Sequence, residues 1–176
     1  VHFGNFPQIN NLSPAIISEL MDGYCINSPK NKKFAWFSIY GDAFEIYDYS
    51  DVSNPILITQ NISTLPIFSV KKIRDEEHAV FSQETKIGVV SITSNNKYIF
   101  ALYNKNTLKD IAKLKDDIFF SNQILVYNWD GSPIKILNLN ENVKAISFDE
   151  TNNSLLCIAC DDNGPKILHK TLTNIL

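Results

Sequence analysis

The chain has 176 residues, of which 44% are hydrophobic and 20% charged, enough for one sizeable core and against wholesale disorder. Its formal net charge of -3 gives no general attraction for phosphate backbones, and the basic run Lys71, Lys72 and Arg74 is followed at once by Asp75, Glu76 and Glu77, so nucleic acid is excluded as a partner class. No apolar run reaches the roughly 18 to 20 residues that a bilayer-spanning helix needs.

Residues 1–22 form a leading segment in which Ser13, followed by Pro14, predicts one or two helical turns over 13–20: serine caps a helix start and proline suits its first position. The chain starts at Val1 without an initiator Met or a charged and then apolar leader, so any targeting segment is expected outside these residues.

From residue 23 onward a layout recurs: a short apolar run, a polar turn and a second apolar run. It is written CINSPKNKKFAWF over 25–37, SITSNNKYIFALY over 91–103 and AISFDETNNSLLCIA over 145–159. Each copy is followed by a third strand: AFEIYDY over 43–49, QILVYNW over 123–129 and PKILHK over 165–170. Fourth, outer strands are predicted at 55–59 and 132–137, the latter entered through the Asp130-Gly131 pair that favours a tight turn.

Four antiparallel strands per unit is the blade of a propeller. The expected fold is therefore all-β, with about three four-stranded antiparallel β-propeller blades amounting to half of a six-bladed ring. The blades fall at 23–65, 87–140 and 141–176, with a connector at 66–86, and together they make one structural domain. A sandwich or barrel also yields short strands, but similarity between units and runs apolar on both faces, such as YIFALY over 98–103, favour sheets stacked face to face around an axis. Residues 104–122 interrupt the middle unit as an insertion at a blade edge, a place where recognition elements often sit.

The residues offer little chemistry. Cys25, Cys157 and Cys160 read as small buried hydrophobes, and the Cys157/Cys160 spacing on a strand points the two thiols to opposite faces, against a shared metal. His2, His78 and His169 stand in no nucleophile-and-base pattern. The carboxylates Asp75 with Glu77, Asp116 with Asp117, Asp149 with Glu150 and Asp161 with Asp162 sit in predicted turns, where acidic residues serve turn geometry. The 161–164 segment, DDNG, lacks the ordered ligand spacing of a calcium loop. The six glycines form no phosphate cradle. No cofactor, metal or catalytic residue is expected. The aromatics Trp36, Phe37, Tyr40, Phe44, Tyr47 and Tyr49 are assigned to packing between blades rather than to sugar stacking.

The middle unit, NKYIFALY over 96–103 with QILVYNWDGSPIK over 123–135, resembles the TolB-like six-bladed β-propeller proteins of Bacteroidetes, as do FGNFP over 3–7 and VKAISFDETNN over 143–153. The resemblance implies a six-bladed ring of which these blades are the C-terminal half, and a place in the cell envelope or periplasm, often as a lipoprotein. It carries no catalytic residues to transfer. The functional expectation is a non-enzymatic binding or scaffolding module for a protein or glycan-related ligand, with Ser91, Thr93 and Ser147 on the innermost strands as candidate channel-lining binding residues. The alternatives are a hydrolase or lyase completed by further blades, and a purely structural assembly module. Because a half ring leaves apolar blade faces in water, a homodimer closing a six-bladed ring is also expected.

Overall fold

The computed structural model describes residues 12–161 and 163–172, apart from the side chain of residue 116. His2 and the 3–7 motif lie outside the described residues, as does Asp162. The predicted leading helix is α1 (Pro14–Leu20), where the Ser13 hydroxyl accepts the Ile16 amide proton at 3.4 Å and Pro14 occupies the first turn. Ile16 and Leu20, four residues apart, fall on one face and are fully buried.

Blade 1 is the four-stranded meander β1 (Gly23–Asn27), β2 (Lys33–Ser38), β3 (Asp42–Asp48) and β4 (Ile56–Thr64), ordered as in the sequence. The 66–86 connector contains a separate hairpin, β5 (Phe68–Ile73) and β6 (Glu76–Phe81). Blade 2 is β7 (Val89–Ser94), β8 (Tyr98–Tyr103), β9 (Ser121–Asn128) and the first half of β10 (Pro133–Asp149). Between β8 and β9 the insertion folds into two 3-10 turns, Leu108–Asp110 and Lys115–Phe119, around the short helix α2 (Ile111–Leu114).

Blade 3 begins on the same strand that ends blade 2. β10 pairs with β9 up to Asn138, shifts register, and from Val143 pairs with β11 (Ser154–Asp161), which in turn pairs with β12 (Gly164–Thr171). One 17-residue strand thus serves as the outer strand of blade 2 and the inner strand of blade 3, joining both into one six-stranded sheet. Blade 3 therefore has three strands among the described residues.

The stacking follows from strands that are apolar on both faces. Between blades 1 and 2, Phe37, Phe44 and Ile46 meet Val89, Ile99 and Trp129. Phe37 and Phe44 stack at 4.9 Å, and both rings tilt against Tyr127. Between blades 2 and 3, Phe100, Leu102, Ile124 and Val126 meet Ile146, Leu155 and Cys157. The tight turn at Gly131 has φ +89°, and an added Cβ there would run into the Thr59 side chain of blade 1, so glycine serves both the turn and the approach of the two blades.

Candidate functional site

The inner strands of the three blades lie side by side: β7 contacts β1 on one side and the second half of β10 on the other. Hydroxyls bridge them. Ser94 donates to the Asn27 carbonyl at 3.2 Å, while the Ser91 and Thr93 hydroxyls accept the Ile146 and Phe148 amide protons at 3.1 and 2.9 Å. Ser91 and Thr93 thus lie at the junction of blades 2 and 3, with their oxygens committed to strand β10. Ser147, between the two amides they hold, is exposed and paired in register with Leu156. The three residues come together, as two ties and one free hydroxyl.

A larger recess forms beside the insertion, where the sequence reading placed a blade-edge excursion of the kind that often carries recognition elements. At one end of blades 2 and 3 the insertion, the start of β9 and the register shift of β10 enclose a cleft of about 570 Å³, within the size range of small-ligand sites. Asn104, Lys105 and Asn106 supply one side, Phe120, Ser121, Asn122 and Gln123 the floor and entry to β9, and Glu141, Asn142 and Cys160 the blade 3 side. Leu114 and Asp117 overhang from the insertion.

The floor is held by one buried amide. Asn104, 1% exposed, donates through Nδ2 to the carbonyls of Ile118 at 2.6 Å and Phe120 at 3.0 Å, and its Oδ1 accepts the Asn106 amide proton at 2.7 Å. Asn106 Nδ2 adds a second donor to Ile118 at 3.2 Å, and the buried Ser121 hydroxyl donates to the Tyr103 carbonyl at 2.5 Å. At the start of the insertion Asp110 caps Thr107, accepting its amide proton at 2.9 Å and its hydroxyl at 3.0 Å, and these bonds hold the Asp110 carboxyl below the usual range. On the blade 3 side Lys166 pairs with Glu141 at 2.6 Å and Asp161 at 3.2 Å, which raises the Lys166 ammonium.

Other titratable groups have structural settings. Burial pushes the Tyr127 hydroxyl up to about 12 and raises the Asp42 carboxyl, against the pull of Lys86 and the Tyr103 hydroxyl. The space among Phe37, Asp42, Tyr103 and Tyr127 is only about 10 Å³, room for no substrate. Glu45, buried in blade 1, accepts the Tyr47 hydroxyl and the Gln60 amide, each at 2.5 Å. His78 is on β6 with Nδ1 2.9 Å from Glu19, and His169 is on β12.

The cysteines divide. Cys157 is buried between blades 2 and 3, where burial pushes its thiol up to about 11, whereas Cys25 and Cys160 are exposed. The expectation that all three are buried hydrophobes thus holds for Cys157 alone. Cys25 lies on an inner strand with only β2 beside it in the sheet, and Cys160 on the blade 3 face that no element covers among the described residues. Asp161 is engaged with the Asn163 amide at 2.9 Å and with Lys166, as a turn residue is. Among the described residues no three His, Cys, Asp or Glu side chains gather as a metal site.

None of the residues that build the cleft was singled out as a site residue from the sequence, Asp117 and Cys160 being named there only as a turn carboxylate and a buried thiol. Their signal is the flanking of the insertion by side-chain amides, NKN at 104–106 and SNQ at 121–123.

Meandering blades that share inner-strand contacts, stack through apolar faces and carry a cleft at their loop end define a β-propeller segment. The TolB-like 6-blade propeller-like family matches residues 3–151, and the chain belongs to it. No curated protein matches the chain. No helix among the described residues is long and apolar enough to cross a membrane.

Proposed function

We propose that the chain is a non-enzymatic binding module of a bacterial envelope protein, of the periplasmic or lipoprotein kind found in Bacteroidetes, and that its three blades are the C-terminal half of a six-bladed ring. The cleft beside the insertion is its binding surface. One observation carries this reading: the insertion is built around the buried Asn104 amide, which spends both its donors on holding the 118–120 backbone against the blade. A solvated excursion needs no such anchor, whereas a preorganised recess does. Family membership supports the envelope placement.

The hydrolase or lyase alternative asks for a free acid and base in the cleft. Of the two carboxylates among its described lining residues, Asp117 and Glu141, the latter is tied to Lys166. The inner-strand hydroxyls of Ser91, Thr93 and Ser147 form a secondary contact region near the ring axis in this reading.

A photo-crosslinking residue at position 122, compared with one at position 51 on the opposite end, tests the reading in cells that export the protein. Discrete adducts from position 122 alone, with the captured molecule chemically unchanged, are expected. Equal labelling from both positions, or a captured molecule converted to product, overturns it.

A second reading concerns the partner chain. Ring closure by two copies sets blade 3 of one against blade 1 of the other, and α1 with β5–β6 already covers that blade 1 face. Two copies, and equally further blades of one chain, therefore close a six-bladed ring against blade 1 only if this cap swings away. Light scattering at increasing concentration distinguishes a dimer, which supports association through blade 3, from a monomer, which ends it.

A further inference from the structure

We propose that the cleft takes a neutral, polyhydroxylated ligand, an oligosaccharide segment, through the side-chain amides of Asn122 and Asn142 on its rim. The inference rests on the reading of the cleft as a binding surface and names what that surface recognises. Three features of the wall select the ligand class.

The first is charge. Lys105 is the single cation among the described lining residues, Glu141 is neutralised by Lys166 and Asp117 adds a negative charge, so phosphate groups and polyanions find no paired basic clamp. The second is polarity. Leu114 and Phe120 are the only large apolar side chains among the described lining residues, too few to cover a lipid chain, yet a ring such as Phe120 can pack on the flat C–H face of a sugar. The third is the kind of polar group. The side-chain amides of Asn122 and Asn142 have no hydrogen-bond partner among the described residues, and each presents both an acceptor and two donors. A sugar hydroxyl is also donor and acceptor at once, so vicinal hydroxyls match an amide in both senses. Carboxylates and ammonium groups match only one.

The floor supports the same conclusion from its rigidity. The amide of Asn104 and the hydroxyl of Ser121 are committed to backbone carbonyls, so the rim amides project from a wall that does not have to be ordered on binding. A weak, hydroxyl-rich ligand depends on that saving.

The intact chain, labelled with ¹⁵N, is titrated with cellohexaose, maltohexaose and chitohexaose, and with inositol hexakisphosphate as the polyanion. At least one hexasaccharide is expected to shift the amides of 104–106, 121–123 and 141–142 in a saturable way, and the polyanion is not. Asn122 and Asn142 are both exposed, so Asn122→Ala combined with Asn142→Ala is expected to keep the melting temperature while weakening that hexasaccharide about tenfold, the loss of roughly one net hydrogen bond or slightly more. No saturable shift with any of the three sugars, shifts that map elsewhere, or a cleft response to the polyanion overturns the proposal. If the sugars fail while crosslinks from position 122 persist, the ligand class is wrong and the binding surface stands; if both fail, both readings fall.

Discussion

Blade 1, a four-stranded meander, and blade 3, with three antiparallel strands among the described residues, have opposite fates at their outer faces. On blade 1, Trp36 and Ala43 are buried beneath Ile16, Leu20 and Met21 of the leading segment, with Phe68 and Phe81 of the β5–β6 hairpin closing the side. On blade 3 the corresponding face is bare: Leu156 and Ile158 of β11 are 37% and 38% exposed, and Ile167 of β12 is 74% exposed. A propeller blade is apolar on both sides because it expects neighbours on both sides, so an end blade has a face to hide. Chain outside the blade pattern hides it at one end, and nothing among the described residues hides it at the other. The polarity of the array lies in what covers its ends, not in the blades.

The largest effect should come from opening the capped end. Leu20→Ala removes a fully buried side chain from the α1 face and should cost about 2–5 kcal/mol, whereas Ile167→Ala on the bare end should cost less than about 0.5 kcal/mol. Chemical denaturation of both variants checks the contrast, and equal losses would break it. The cleft comes next. Asn104→Ala takes the Asn104 donor from the Phe120 carbonyl and leaves the Ile118 carbonyl with the Asn106 amide alone, and should cost about 1–3 kcal/mol, with faster proteolysis inside 108–119 than elsewhere.

The inter-blade ties are smaller. Thr93→Val keeps the shape of the side chain but takes away the acceptor for the Phe148 amide, for about 1 kcal/mol, without altering the cap. The last effect is conditional on pH. Glu19 of α1 accepts the Ala79 amide proton at 2.6 Å and bonds His78 Nδ1 at 2.9 Å, and these bonds hold its carboxyl below the usual glutamate range. A carboxyl lowered on folding stabilises the folded state fully above its unfolded value, and loses that contribution as pH falls through the folded value. Melting curves followed by Trp36 fluorescence, in a Trp129→Phe background that removes the second tryptophan, should therefore show the cap loosening only in acid below the ordinary glutamate range. Glu19→Gln should flatten that acid limb, and an unchanged limb would place the sensitivity elsewhere.

Much of the fold was legible before any coordinates. Recurring apolar runs around polar turns marked the strands at 25–37, 91–103 and 145–159, because a strand buried on both faces has to be written in residues such as Ile99, Phe100 and Leu102. Ser13 with Pro14 marked α1 for an equally local reason, the needs of a helix's first turn. The β5–β6 hairpin was less visible, since its burial pattern is largely exposed and its apolar residues are few. The continuity of β10 through two blades was hidden as well. A register shift at Asn138–Val143 leaves no mark in composition, and NLNENV over 138–143 reads like an ordinary turn.

The candidate site divides in the same way. Ser91, Thr93 and Ser147 were chosen from strand order, and strand order does bring them to one junction. It could not tell that two of the three hydroxyls are taken up by β10 amides. The cleft was out of reach because its walls come from the insertion, the start of β9, the bend of β10 and the end of β11, segments up to 56 residues apart from Asn104 to Cys160.

What the sequence determined on its own is the all-β blade architecture, its strand repeat and its leading helix, because each rests on periodicity or capping that neighbouring residues carry. What only the tertiary structure decided is which faces are covered, that β10 joins two blades, and that scattered amides meet in a cleft. Those depend on the packing of segments distant along the chain, where side chains satisfy backbone groups they never adjoin in sequence.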